Sequence, residues 1–259
     1  MGNLQTAIGQ VRSGVRAAAM ATRTLVGLQV AAMHRRIAGP EQRYQIWQQH
    51  MKVWARDLLR VFNFEQLWVS PPPRAGSGGR LVVANHRSPI DIILLLQHFG
   101  GCVVSRSDLA TWPVLGRAAR EAETIFVDRD NTRSGVGAIR EIRRRLQAGR
   151  TVIVFPEGAT YPGDEVRPLL GGAFAAARGL PIEIVPVGIA YQPGAEFYQE
   201  TFAQHVARVA ARPRTRVALC AGAPRPISGS RKELSQKLQI EVQSLVNTAR
   251  QHLQSAAVG

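Results

Sequence analysis

Apolar residues in the first quarter of the chain recur at helical spacing. Leu4, Ile8, Val11 and Val15 fall three or four apart with arginines between them, the pattern of an amphipathic helix. A second run, 41–62, follows Gly39-Pro40 and sets Tyr44, Trp47, Met51, Trp54, Leu58 and Val61 on one stripe. The Pro/Gly-rich segment 70–79 breaks this pattern and predicts a boundary. Beyond it, short apolar runs at 81–84, 102–105, 124–127, 151–155, 182–190 and 216–220 read as strands. Helical periods at 89–99, 113–123, 134–148 and 171–178 lie between them, and a last helix runs from 230 toward 251, opened by the capping-box pair Ser230 and Glu233. Strands alternating with helices over short connections predict an α/β fold: a mostly parallel sheet with helices on both faces, preceded by an N-terminal helical segment. The expected division is residues 1–70 as the helical segment, 71–79 as linker and 80–259 as the α/β domain. Val136, Ile139, Ile142 and Leu146 mark the buried stripe of helix 134–148, and Arg140, Arg143, Arg144 and Arg145 its solvated face. Pro186, inside a buried strand pattern, points to a bulge or an edge.

No stretch reaches the roughly 18–20 apolar residues of a spanning helix. The nearest, Ala17 to Met33, is interrupted by Arg23 and diluted by Thr22, Thr24 and Gln29. A secretory signal would need a cleaner apolar centre and a small-residue cleavage site. The N-terminal helix therefore reads as an amphipathic element lying in a bilayer interface, with a helix packed on the domain as the other reading.

The chain carries 33 basic and 18 acidic residues, a formal charge of +15 over 259 residues. Its distribution matters more than its size. Residues 1–70 hold nine basic and three acidic side chains, and residues 201–259 hold nine and two, so the body between them is nearly balanced. That distribution excludes a uniformly basic nucleic-acid binder and favours contact between the ends and an anionic bilayer or an acidic partner. Two cysteines, Cys102 and Cys220, form no disulfide framework.

Candidate chemistry sits where predicted strands end. His86 follows an apolar strand beside Asn85, at the edge of a parallel sheet where such folds hold ligands. An imidazole there suits removal of an alcohol proton, and Asp91, five residues on, can fix its tautomer. Ser88-Pro89-Ile90-Asp91 also reads as a plain helix cap. Arg129, after Asp128 at the end of another strand, can hold a phosphate or merely pair with its neighbour. Glu157-Gly158 ends a third strand as either a substrate clamp or an ordinary turn. Gly-rich phosphate loops, Gly-x-Ser-x-Gly elbows and zinc spacings are absent from the sequence, which leaves kinase, serine-hydrolase and metalloenzyme readings without a motif.

Together these blocks resemble the glycerolipid and lysophospholipid acyltransferases. Asn85-His86-Arg87-Ser88-Pro89-Ile90-Asp91 matches the family's Asn-His-x-Ser-x-x-Asp block at every specified position. Arg106-Ser-Asp-Leu109, with Pro113 and Gly116, resembles its connecting segment. Phe126-Val-Asp-Arg129, Phe155-Pro-Glu-Gly158 and Val185-Pro186-Val187 follow in the family's order. The resemblance implies acyl transfer from acyl-CoA or acyl-carrier protein to a lysophospholipid hydroxyl, without cofactor or metal, at the cytoplasmic side of an anionic membrane surface. It makes His86 the general base and Asp91 its orienter, and sets Asn85, Ser88, Arg106, Arg129, Glu157 and Gly158 at the substrate. One departure is visible: many members continue the third block with Thr-Arg, whereas this chain reads Ala159-Thr160 and has no arginine until Arg167. That departure opens a second acceptor, a lyso-ornithine lipid, beside 1-acylglycerol-3-phosphate.

Overall fold

In the computed structural model, which describes residues 2–39, 42–76, 78–112, 115–128 and 130–258, two long helices open the chain, α1 (Gly2–Ile37) and α2 (Gln42–Val61). A strand, β1 (Phe64–Ser70), precedes the linker. Then follow β2 (Arg80–Ala84), α3 (Ile90–Phe99), β3 (Cys102–Arg106), a 3-10 turn at Ser107–Thr111, α4 (Leu115–Glu121), β4 (Ile125–Val127), α5 (Thr132–Gln147), β5 (Thr151–Val154), α6 (Gly172–Ala177) and β6 (Glu183–Tyr191). α7 (Phe202–Ala211), β7 (Thr215–Ala221), β8 (Arg225–Pro226) and α8 (Arg231–Val258) complete the chain.

The strands form one sheet in the order β1-β7-β6-β2-β5-β3-β4, with β8 against β6. Among the described residues only the β6–β7 and β6–β8 pairings are antiparallel. Side chains alternate across a strand, so a continuous apolar run serves two cores at once. Val82, Ala84, Ile153, Val185 and Val187 face a core closed by α1, α2 and α3. Leu81, Val83, Val152, Val154 and Ile184 face another closed by α5, α6 and α8.

The crossovers from the neighbouring strands β2 and β5 leave on opposite faces. After β2 the chain crosses by α3 to β3; after β5 it crosses by α6 to β6, on the far side of β2. This is a topological switch point, which opens a crevice beyond the carboxyl ends of the two strands. His86 follows one of them and Glu157 the other.

α1 packs on α7 and α2 with one side only. Arg12 donates to the Ala211 carbonyl, and Arg16 to those of Ala210 and Arg212. Both thereby satisfy carbonyls at the C-terminal end of α7, where cations are favoured. Arg23 pairs with Asp57 of α2 at 2.7 Å. These arginines, read from the sequence as interspersed among the apolar residues of an amphipathic helix, hold α1 to the protein. Its other side exposes Leu4, Ile8, Val11, Val15, Val26, Met33 and Ile37, each at least 47% accessible. At about 100° per residue these seven fall within roughly 80° of arc, a single stripe along about 54 Å of helix. Among the described residues no helix is long and apolar enough to cross a membrane.

Several expectations change. Residues 64–70, read as part of the helical segment, are a strand paired in parallel with β7, so the sheet begins before the linker. Seven residues give too short an alternation to stand apart from the helix ahead of them. β7 is an interior strand, between β1 and β6. The helix expected at 113–123 starts at Leu115 behind a 3-10 turn, and Pro113 lies outside the described residues. α7 was not anticipated, although Thr201 and Gln204 form a reciprocal capping box at its start. Pro186 is at no edge. It is buried in β6 where that strand's outer partner changes from β8 to β7, and its carbonyl accepts from Gly222. The missing N–H thus falls in the gap between two partners. Arg145 is no solvated residue: it is buried and paired with Glu141 and Glu123, while Val136 of the predicted stripe is exposed.

Gly188 shows how closely α8 lies on the sheet. A Cβ there would land on the backbone of Leu245 and Val246. Gly188→Ala is expected to destabilise the protein by about 2–4 kcal/mol, visible as a lower denaturant midpoint; an unchanged midpoint would mean that α8 is not seated on β6.

Candidate functional site

Asp91 lies at the second position of α3, wholly buried, and its two oxygens gather four donors. Oδ2 accepts from the backbone N–H of Arg87 (2.6 Å) and of Ser88 (2.9 Å), and it meets Nδ1 of His86 at 2.9 Å. Oδ1 accepts from the Tyr191 hydroxyl at 2.7 Å. Burial first, then the Asp91 charge, pushes the Tyr191 hydroxyl well above its usual range, so it remains a donor. An acceptor-only carboxylate assigns the proton to His86 Nδ1 and leaves Nε2 with its lone pair. The imidazole ring stacks on Phe155, with centroids 4.2 Å apart and planes 17° from parallel, so residues following β2 and β5 meet across the crevice. The His86 side chain is 16% accessible, whereas Asp91 has no exposure.

The cap read from Ser88 to Asp91 takes another form. Ser88 Oγ accepts from the Ile90 N–H, two residues on, and the Asp91 carboxylate reaches back to the N–H groups of residues 87 and 88. The cap and the dyad are therefore one structure: the carboxylate that opens the helix also holds the imidazole.

Glu157, expected at the substrate, is turned into the protein. Its carboxylate is fully buried against Arg87, with Nη1 at 2.9 and 3.1 Å from the two oxygens. It also accepts from the backbone N–H of His86 (2.6 Å) and of Arg167 (2.9 Å). Arg87 in turn donates to the carbonyls of His86, Gly163 and Glu165. The pair locks the His86 backbone to the 157–167 loop. Gly158 closes the turn after β5 at φ +85°, a conformation that favours glycine, with its N–H on the Phe155 carbonyl. The Asn85 side-chain amide likewise bonds to protein: it exchanges two hydrogen bonds with the backbone of Ile189, at 2.8 and 2.9 Å, adding a rung between β2 and β6. Ser88 is buried too, with Oγ 2.9 Å from Nε2 of His205. The sequence reading set Asn85, Ser88 and Glu157 at the substrate; all three side chains are buried and bonded to the protein.

The description "Acyltransferase" names the family model that matches residues 46–190, more than half of the chain. The chain belongs to the acyltransferase family. Among curated relatives it is 34% identical over 118 residues to the lyso-ornithine lipid O-acyltransferase of Rhizobium meliloti (strain 1021), covering 43% of this chain and 40% of that one. It is 30% identical over 125 residues to the 1-acyl-sn-glycerol-3-phosphate acyltransferase of Neisseria gonorrhoeae, covering 48% and 49%. The chain thus spans about half the length of the curated relatives it matches. Its structure is similar to that of the 1-acyl-sn-glycerophosphate (LPA) acyltransferase PlsC from Thermotoga maritima, with a TM-score of 0.70 over 92% of this chain and 98% of the other. At 18% identity that likeness shows a shared fold.

Within this family member Arg106 stands apart from the dyad. Arg106 ends β3, with its side chain 68% exposed and its Nε 3.2 Å from Asp108. β3 lies two strands from β2, about 10 Å along the same carboxyl edge. Arg129 lies outside the described residues, one position past Asp128 at the end of β4. Sequence reasoning missed Arg87, Tyr191 and His205. Arg87 fills an unspecified place in the first block, and Tyr191 and His205 reach the site only through the topology.

Breaking a buried ion pair from one side leaves the other charge stranded, at about 3–5 kcal/mol. Arg87→Ala is therefore expected to lower stability by that amount in chemical denaturation. A change below 1 kcal/mol would place the pair in solvent and remove its scaffolding role.

Proposed function

We propose that this protein is an O-acyltransferase that moves a fatty acyl chain from acyl-CoA or acyl-carrier protein to the free hydroxyl of a lysophospholipid, 1-acylglycerol-3-phosphate in the first instance, with His86 as general base. The observation that carries this reading is the His86–Asp91 pair, with Nδ1 held and Nε2 left as base, at the carboxyl edge of the sheet. Nε2 takes the acceptor's hydroxyl proton as its oxygen attacks the thioester carbonyl, and returns that proton to the departing thiolate. Asp91 stabilises the imidazolium formed between the two steps. A thioester is already activated, so the transfer asks for no resident metal or cofactor.

The second support is a cavity of about 140 Å³ that begins at Pro89 and Ile90, beside the dyad, and continues between α1, α2 and α3. Ile93, Leu28, Trp47 and Met51 are among its walls. Its apolar lining suits an acyl chain. Each methylene withdrawn from water contributes about 0.8 kcal/mol, so one carbon changes binding roughly fourfold. In this reading Arg106 and Arg129 receive the acceptor's phosphate, Gly158 gives the backbone close approach, and the exposed stripe of α1 rests in an anionic bilayer on its cytoplasmic side, where lysolipid is found.

A specific feature favours a second acceptor, lyso-ornithine lipid. Ala159-Thr160 stand where many members have Thr-Arg, and the R. meliloti relative is named for that substrate. The loop's first cation, Arg167, instead lies 5.5 Å from the Tyr161 ring and pairs with Glu165.

Transfer from palmitoyl-CoA or palmitoyl-carrier protein to 1-acylglycerol-3-phosphate or lyso-ornithine lipid, followed by mass spectrometry, separates the acceptors. His86→Ala is expected to lose about 10²–10⁴-fold in rate with its fold intact; a variant as fast as the parent refutes the base assignment. Ile93→Trp is expected to fill part of the cavity and shift preference to shorter acyl chains. An unchanged chain profile would place the acyl group elsewhere.

A further inference from the structure

The loop after β5 carries an ion pair whose side chains take no part in the dyad or its scaffold. Glu165 Oε2 lies 3.1 Å from Arg167 Nη1, and the two side chains are 71% and 44% accessible. Other groups fix the backbone beneath them. Arg87 donates to the Glu165 carbonyl at 2.7 Å, and the Arg167 N–H donates to Glu157 Oε1 at 2.9 Å. Between the two, Val166 is buried, with its N–H on Gln243 and its carbonyl on Gln239, both of α8. Val166 thus points inward, while Glu165 and Arg167 on either side of it are exposed. Asp164, the neighbouring carboxylate, is held by Arg250 at 2.6 and 2.8 Å.

Two printed routes of contact tie this pair to the dyad. The Tyr161 N–H donates to the His86 carbonyl at 3.2 Å, and the Arg167 guanidinium lies 5.5 Å from the Tyr161 ring. Glu157 supplies the other, since it accepts from the N–H groups of both His86 and Arg167. An exposed ion pair adds little to stability, so these two charges are free to meet a ligand. A phosphate is drawn to Arg167 and repelled by Glu165. A head group with one carboxylate and one ammonium satisfies both: its carboxylate accepts from the guanidinium, and its ammonium donates to Glu165.

We propose that Glu165 and Arg167 form the head-group subsite for an amino-acid lysolipid, one whose head group carries a carboxylate and an ammonium. Arg167 takes the carboxylate and Glu165 the ammonium. The inference rests on the acyl-transfer reading and names the residues that select its second acceptor. Selection comes as much from the charge that Glu165 sets against a phosphate as from the two new pairs.

Glu165→Gln and Arg167→Gln each remove one charge and leave the backbone bonds of the loop in place. The full chain and both variants are assayed with lyso-ornithine lipid and with 1-acylglycerol-3-phosphate under one acyl donor. Equilibrium binding of the same two lipids to all three proteins in a His86→Ala background is measured in parallel. Each Gln variant is expected to lose about three- to fivefold in kcat/KM for lyso-ornithine lipid, carried by KM, with a matching loss of affinity. Toward 1-acylglycerol-3-phosphate, Glu165→Gln should lose nothing and gain up to about the same factor, because a repelling charge is gone. Equal losses on both acceptors, or unchanged kinetics with lyso-ornithine lipid, would overturn the proposal. So would a parent that acylates 1-acylglycerol-3-phosphate and not lyso-ornithine lipid, an outcome that leaves the acyl-transfer reading standing. If the parent acylates neither lipid, that reading fails and the binding measurements decide: lyso-ornithine lipid affinity that is indifferent to both Gln substitutions overturns the subsite, and the expected loss supports it.

Discussion

The fold is organised around a buried carboxylate that must be given four donors. An isolated charge at the position of Asp91 would cost several kcal/mol, and the chain offsets that by bringing three places together around it. The end of β2 supplies two backbone N–H groups and an imidazole, the first turn of α3 supplies the carboxylate, and the end of β6 supplies Tyr191. β2 and β6 pair in parallel, and the side chain of Asn85 extends their pairing past Ala84, the last rung of the ladder. That stitch brings the Tyr191 hydroxyl level with Asp91. The same four hydrogen bonds that make the charge tolerable fix which nitrogen of His86 carries the proton.

A second buried pair does for the backbone what Asp91 does for the ring. Arg87 and Glu157 tie the His86 main chain to the loop after β5, across the switch point of the sheet. α7 closes the far side through His205, and it is held in its turn by arginines of α1 at its C-terminal end. The N-terminal helices thus reach the site twice, through α7 and through the apolar cavity they wall off above α3. The helices whose sequence reads as an interfacial element or a packed one are therefore part of the support of the His86–Asp91 pair.

The sequence was most legible where chemistry and local structure share a short stretch. The β/α alternation, the capping box at Ser230–Glu233 and the block from Asn85 to Asp91 all lie within a few residues, and all appear in the structure as spaced. What was not legible depends on residues distant in the chain. β1 becomes a strand because β7 lies beside it, and Arg145 is buried because Glu123 comes to it. Glu157, Asn85 and Ser88, expected at the substrate, are buried against the protein, because spacing alone does not say into which side of a turn a side chain points. The basic N-terminal segment divides in the same way: Arg12, Arg16, Arg23 and Arg35 bind protein, and the outward stripe of the helix is apolar.

In the proposed reaction the neutral imidazole of His86 is the species that takes the proton. The most direct test is to measure the rate of acyl transfer against pH and, in the same protein, to follow the titration of the His86 ring by NMR. The rate is expected to rise with the fraction of neutral His86 and to share its midpoint. A rate that stays level while His86 changes from charged to neutral would contradict that role.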